Sequence, residues 1–567
     1  MEMTRFTPSR FMIIALLLLP LYAAGQSDAP EEPEIVLPTA LLRVDGIPFE
    51  RVEAVLPGAA QLVLPELVIP LPSVQEMEVQ PRLLLPDITD DLDPVETSVF
   101  STGSITAGSR NLIEGQLGVF KLGQDPRFRL TFSHQGVDGY GGKSPGTGFF
   151  RSEQRLDGWL GSTAGPVQFE TGAGFTEWQE GLQQTSDSYY STILRFLSGH
   201  GEVELRPDEL IGVYGSLHAG SASRRLSVSE TEEVPESDDE DYLQAGARVA
   251  VELPAFTLSL GAEYGLQALG AGGMDSIDIL HDGAITVSFD AQPSSRVDLY
   301  GNAGALWLVG DRFEYPFTLG VNYRSSDWVE FQGSFGRRAQ RTLLHDLWRD
   351  IPLLRLPAGR SPDPAMEWFA GGRMQADFVE QNLRLQGGVD YIIEFQDRVL
   401  PGAYLFDVVP DGDDPDAFPQ IGFSWDTYDG VELQTHLQLQ YQLSGFARLQ
   451  AGYRGALPLF STRGNPVVPQ HLGQLGITLG SENGMYGGGA DLEAPVYSVA
   501  SLPYLDLHSY VQVTDGIVLR AAIRDLLAPL IDGDRYQFDV SSDNGTPGFS
   551  PFIEPGIRFT LSAEITL

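Results

Sequence analysis

The side chains that could do chemistry in this chain are few and widely spaced. Its eight histidines are His134, His200, His218, His281, His345, His436, His471 and His508, and none makes an HExxH pair or another metal-ligand spacing. No cysteine is present, which removes thiolate nucleophiles, disulfides, iron–sulfur clusters and Cys-ligated zinc together. No GxSxG nucleophile elbow occurs. His345 and Asp346 stand side by side in LLHDLWRD (343–350), but adjacency along a chain does not align a catalytic group, and no enzyme activity is expected. Two acidic runs remain, ETEEVPESDDEDY (230–242) and PDGDDPDAF (410–418). In the second, Asp411, Asp413, Asp414 and Asp416 surround a glycine and offer the hard oxygen ligands that Ca²⁺ prefers, without the twelve-residue EF-hand pattern. Both runs read first as solvated outer loops, and no cofactor is expected.

The charge balance narrows the classes further. Thirty-six Lys and Arg against 77 Asp and Glu give a formal net charge of −41 over 567 residues. Nucleic-acid binding needs cations to neutralise phosphates, so no nucleic-acid partner is expected. A chain so acidic keeps its loops hydrated and soluble.

Three regions follow one another. Arg5 and Arg10 precede the apolar run FMIIALLLLPLYAA (11–24), with small Ala23 and Gly25 before Gln26. This is the layout of a secretory signal peptide over 1–25, too short for a spanning helix. Residues 26–97 hold eleven prolines, fifteen acidic residues, three arginines and no lysine. Proline removes backbone donors and fixes φ, so an extended, partly polyproline-like acidic arm in the periplasm is expected. Apolar triplets recur against its prolines, as in LVLPELVIPLP (62–72), and fit either a plain tether or a docking arm for a periplasmic protein.

From residue 98 to 567 the texture is alternation. In VELQTHLQLQYQLSGFARLQAGYRG (431–455), Val431, Leu433, Leu437, Leu439, Tyr441 and Leu443 face one way. Glu432, Gln434, His436, Gln438, Gln440 and Gln442 face the other, and after Ser444-Gly445 the pattern resumes with Arg448, Gln450 and Arg454 on the polar side. Period-2 alternation marks strands with two differently solvated faces. About 22 to 24 such strands are countable, with no persuasive helical period. Connections alternate between short ones, such as Ser325-Ser326-Asp327, and long ones at 223–241, 339–364 and 530–552. Strands near the ~9–11 residues that cross a bilayer at a tilt, short turns alternating with long loops, and an export signal together predict an all-β fold. The expected architecture is a large antiparallel transmembrane barrel of about 22 strands in the cell outer membrane, in contact with its lipid. Phe149-Phe150, Tyr189-Tyr190, Trp328 and Trp368 sit near strand ends, where an interfacial aromatic girdle would lie. The polar faces, His436 included, would line the lumen.

The chain ends on the strict alternation Ile557 to Leu567, whose apolar members include Phe559, Leu561, Ile565 and Leu567. A closed barrel leaves no edge in lipid, so this strand is expected to close the ring onto the first. The last fifty residues also resemble the end of TonB-dependent receptor barrels. Arg524-Asp525-Leu526-Leu527 stands where that family has an Asn-Leu-Phe-like turn, Tyr536 stands in the following loop, and Pro555-Gly556-Ile557-Arg558 leads into the final strand. The chain departs from that pattern in its terminal Leu567, where an aromatic is usual, and in having only the proline-rich 26–97 where such receptors carry a plug. PEIVLPT (33–39) resembles the short segment that engages TonB, which implies partner binding by Ile35, Val36 and Leu37. The resemblance further implies that barrel-assembly machinery reads the final strand. The function expected is a solute pathway, plugless and receptor-like or porin-like. The alternative is a structural or surface-binding barrel whose arm docks periplasmic partners.

Overall fold

In hydrocarbon no water can satisfy a backbone group, so a chain that crosses as strands must pair every one of them in a closed ring. The computed structural model shows such a ring. It describes residues 99–121, 125–208, 210–229, 233–270, 277–308, 312–340, 343–350, 353–354, 365–378, 382–408, 420–459, 471–481, 483–496, 503–530, 539–541, 547–549 and 552–566, all within one of the chain's two units, Leu71–Leu567. The expected signal peptide, the expected arm with Ile35, Val36 and Leu37, the candidate calcium ligands Asp411, Asp413, Asp414 and Asp416, Tyr536 and Leu567 lie outside the described residues.

One 23-stranded antiparallel sheet accounts for the wall. Twenty-two strands form it, and the remaining one, Arg312–Glu314, pairs only with Leu306–Leu308. Each wall strand bonds to its neighbours in sequence, from Val99–Gly108 round to Ile517–Arg524. The final strand Arg558–Thr566 then pairs on one side with Ile517–Arg524 and on the other with Val99–Gly108. Leu561 stands opposite Ala107 and Ile565 opposite Gly103, and Ser109 N–H donates to the Phe559 carbonyl at 2.9 Å. Phe559, Leu561 and Ile565 all point away from the lumen and are exposed on the outer face.

The two ends of the ring differ. Six turns of two residues, among them Gly165-Pro166, Gly445-Phe446 and Asp515-Gly516, lie at the end where the first strand begins and the last one stops. At the opposite end run the connections 139–149, 182–190, 341–364 and 525–557. Outward positions carry large apolar side chains that would be unaccountable in water, such as Ile105 at 66% exposed and Leu561 at 64%. Trp328 packs on Phe378 near the turn end, 5.1 Å between ring centroids, and Trp368 packs on Phe317 nearer the loop end. Phe149 and Tyr189 do not join such a girdle. Both turn inward and are buried in the loop cores described below.

The acidic run 230–242 is a second correction. From Glu233 onward it is strand, part of the 21-residue Glu233–Leu253, and the neighbouring Ile211–Ser227 is 17 residues long. A run this acidic stays extended because its partner strand supplies matching cations. Arg224 stands opposite Asp238 with 3.2 Å between charged atoms, and Glu233 bonds both Arg195 and Arg225. Both strands exceed what a bilayer requires, so this side of the wall rises beyond the lipid.

The seam admits a direct test. A Cβ on Gly108 would lie 2.4 Å from the Phe559 carbonyl oxygen. Gly108→Val is expected to force the first and last strands apart at a cost of about 1–3 kcal/mol. The check is the yield of the heat-modifiable, fast-migrating barrel in gel electrophoresis, which should fall well below that of wild type.

Candidate functional site: the lumen and its outer cap

The side chains that alternate with the lipid-facing ones form the lumen wall. His436 takes the inward place expected of it, opposite Gly388. His200 and His218 face each other across two strands with their rings stacked at 6.1 Å, and His508 Nδ1 lies 3.4 Å from Asp491. His134, His281 and His471 share their strands' outward parity instead, His471 accepting or donating a 2.8 Å bond with Tyr453. Among the described residues no group of three His, Cys, Asp or Glu is placed to hold a metal. Many lumen charges are paired along the wall, as in Arg155–Asp157, Arg206–Glu252 and Arg520–Glu564.

Large lumen side chains lie flat. An ideal Cβ on Gly320 would sit 2.1 Å from the Tyr300 ring, one on Gly388 would sit 2.4 Å from His436, and one on Gly487 would sit 2.6 Å from Tyr510. In each case the ring occupies the space a side chain on that glycine would take, close against the wall. Rings over glycines shield the backbone and keep the passage wide.

Twenty-two strands set opposite walls roughly 40–45 Å apart, and the loops at the outer end fold inward across part of that width. The connection 341–364 leaves the ring between its thirteenth and fourteenth wall strands, Val329–Gln340 and Ala365–Phe378. It carries a seven-residue helix, Leu344–Asp350, too short to leave a period in the sequence. Leu344, Trp348, Leu353 and Leu354 are buried against Leu194, Phe196, Ala222 and Leu269. Those partners are inward positions of the sixth, seventh and ninth wall strands, so the loop lands on the lumen face well around the ring. Trp348 is fully buried and donates its indole N–H to the Leu354 carbonyl at 2.8 Å.

The latch is Glu240. Its Oε1 accepts the backbone N–H of Leu344 and its Oε2 that of His345, both at 2.9 Å, while the Gln267 amide also donates to Oε1. The two N–H groups are helix-terminal donors that have no intrahelical partner, and a carboxylate there also suits the helix dipole. The His345 ring is held between Phe196 and Tyr242, with ring centroids 4.8 and 6.3 Å away. Burial pushes its pKa down, Asp346 opposes that shift and Arg349 adds to it. The His345–Asp346 pair therefore serves packing and charge balance in the cap.

A second loop joins the same core. Phe552 packs with Trp348 and Leu182, and the next residue, Ile553, packs on Val137, Tyr140 and Phe149. The Gln183 amide bonds both backbone groups of Ile553: its Nε2 donates to the carbonyl at 3.0 Å and its Oε1 accepts the N–H at 2.7 Å. That Nε2 also donates to the Tyr140 hydroxyl, whose pKa burial raises. Residues 182–190, 343–350, 353–354 and 552–553 thus converge from distant parts of the ring into one apolar cap at the outer mouth.

A closed antiparallel barrel with an apolar exterior, a polar lumen and loops gathered at one end is an outer-membrane barrel. No family model and no curated protein matches this chain. Solved structures do. It is similar to the ferric enterobactin receptor PfeA of Pseudomonas aeruginosa, with a TM-score of 0.61 and 11% identity over 84% of this chain and 82% of that one. The copper transporter OprC gives 0.59 and 14% over 83% and 81%, and the siderophore receptor PirA of Acinetobacter baumannii gives 0.61 and 9% over 84% and 81%. At such identities the likeness is one of fold, the large barrel that these outer-membrane receptors and the transporter share.

Two outcomes are expected of the cap. Glu240→Ala leaves two buried N–H groups without their acceptor, about 2–3 kcal/mol, and Trp348→Ala empties the core at about 3–5 kcal/mol. Either should raise hydrogen exchange and protease sensitivity over 344–350 with the wall unchanged. Because burial favours neutral His345, its contribution to docking should be constant above about pH 6.5 and fall below it, where the free loop binds the proton more tightly. Hydrogen exchange of 344–350 against pH would show this, and His345→Phe should flatten the profile.

Proposed function

We propose that this protein is a solute pathway through the outer membrane whose outer mouth is partly covered by a cap built on Leu344–Asp350, Leu353, Leu354, Phe552 and Ile553. The observation that carries the proposal is the packing of Trp348 and Phe552 against inward-facing wall residues Leu194, Phe196 and Leu269. A barrel serving only as an anchor has no use for an apolar core built over its lumen, whereas a passage gains from a cover that opens at a cost of a few kcal/mol. The carboxylate latch on Glu240 and the neutral His345 beside it make that cover sensitive to substitution and to acid. The solved structures of similar fold are named as a copper transporter and as receptors for ferric enterobactin and a siderophore, which suits a passage for solutes.

The test is single-channel recording on the refolded full-length chain in planar bilayers. Wild type is expected to show small or intermittent currents. Glu240→Ala and Trp348→Ala should raise open probability severalfold, as should lowering the pH on the loop side below about 6. No conductance in wild type and in both variants would overturn the pathway.

A further inference from the structure

One part of the lumen wall is rich in a single uncharged side chain. Glutamines occupy consecutive inward places where strands Ala365–Phe378, Leu383–Val408, Gln420–Ser444, Ala447–Pro458 and His471–Gly480 adjoin. Gln375 stands opposite Gln386, Gln386 opposite Gln438, and Gln440 opposite Gln450. Gln474 continues the band past Gly452. Neighbouring strands are ~4.8 Å apart and same-face residues ~6.8 Å apart along a strand, so the amides form a sheet-like array over five strands.

The array is only partly used by the protein itself. The Gln386 amide donates to Gln375 Oε1 at 2.9 Å, and Gln474 donates to Glu493 at 3.2 Å. Gln438, Gln440 and Gln450, at its centre, bond to no other described residue. Charges stand among the amides and are partly engaged: Arg384, opposite Gln440, bonds Asp377 at 2.7 Å, Arg373 lies 3.6 Å from Asp390, and Arg448 donates to Gln442, while Arg454 stands opposite His436. Across the lumen, Arg155 pairs with Asp157, and Glu204 and Glu252 pair with Arg206 of the adjoining turn.

A carboxamide presents two donors and two acceptor lone pairs and no charge. Such an array complements a ligand whose groups are each donor and acceptor and which brings no charge to be desolvated, the description of a hydroxyl-rich solute. Flat rings complete the match. The His436 imidazole rests on Gly388 within the band, and Tyr300 and Tyr510 rest on Gly320 and Gly487 at its two flanks. The Tyr300 hydroxyl is held by Gln332 at 3.1 Å. A sugar ring has apolar C–H faces and a hydroxyl rim, and flat rings beside amides offer one surface for each.

We infer that this amide band is a binding site for a neutral polyhydroxylated solute, an oligosaccharide in chemical class. The inference rests on the pathway reading for how such a solute reaches the lumen, but its binding can be measured without any current. The probe is maltohexaose, titrated into the detergent-solubilised full-length protein by calorimetry, with a sulfated oligosaccharide of similar length as the charged comparison. Saturable binding of the neutral probe alone is expected. Gln438→Ala/Gln440→Ala/Gln450→Ala should weaken it about tenfold or more, and Arg155→Gln/Asp157→Asn across the lumen should leave it unchanged. Where the triple variant fails the heat-modifiability check for folding, Gln440→Glu/Gln450→Glu keeps side-chain size, removes donors and should show the same loss. The site is overturned if maltohexaose does not bind saturably at millimolar concentration, if the sulfated probe binds as well, or if amide and control variants weaken binding alike. Binding without conductance would sink the pathway and leave the site standing, and conductance without binding would do the reverse.

Discussion

Everything in this molecule depends on the hydrogen bonds between its first and last strands. An open sheet of this size would present two rows of unpaired N–H and C=O groups to hydrocarbon, each costing several kcal/mol. Joining Arg558–Thr566 to Val99–Gly108 removes both rows at once. Closure also divides the environment of the whole wall into lipid and water, and that division is what gives every strand its alternation. With 22 strands the enclosed space is too wide for side chains to fill, so what covers its mouth has to come from loops.

The cap shows how a loop becomes structure without regular elements. Its apolar residues come from three connections and from the wall itself, and its polar backbone is satisfied by side chains. Gln183 replaces a strand partner for Ile553, and Glu240 replaces a missing turn for the helix Leu344–Asp350. Each is a local hydrogen-bond problem solved by a residue distant in sequence.

That distance explains what could and could not be read from the chain. The hairpin 431–455 is legible in its pairing, with Leu437 and Gln440 opposite Tyr453 and Gln450 as the alternation requires, while its turn falls one residue later, at Gly445-Phe446, than the expected Ser444-Gly445. Barrel, strand number and the course of the last strand are legible for the same reason, since two solvents impress one period on neighbouring residues. The run 230–242 misleads because composition alone marks it as loop, while the arginines that pair with it are on the two preceding strands. The helix is too short to show a period, and Glu240, which caps it, lies 104 residues before Leu344. The amide band falls between these cases. Gln434 to Gln442 stand out in one strand, but Gln386, Gln450 and Gln474 join them only through register.

The glycine floors have a consequence for how such a barrel can change over generations. Where Tyr300, His436 and Tyr510 lie flat, the bore is set by backbone spacing and is nearly independent of how bulky the lining is. A lineage can therefore exchange one aromatic, imidazole or amide for another and alter what the passage recognises without narrowing it. Selectivity and calibre become separately heritable traits, with glycine as the silent partner that keeps them apart.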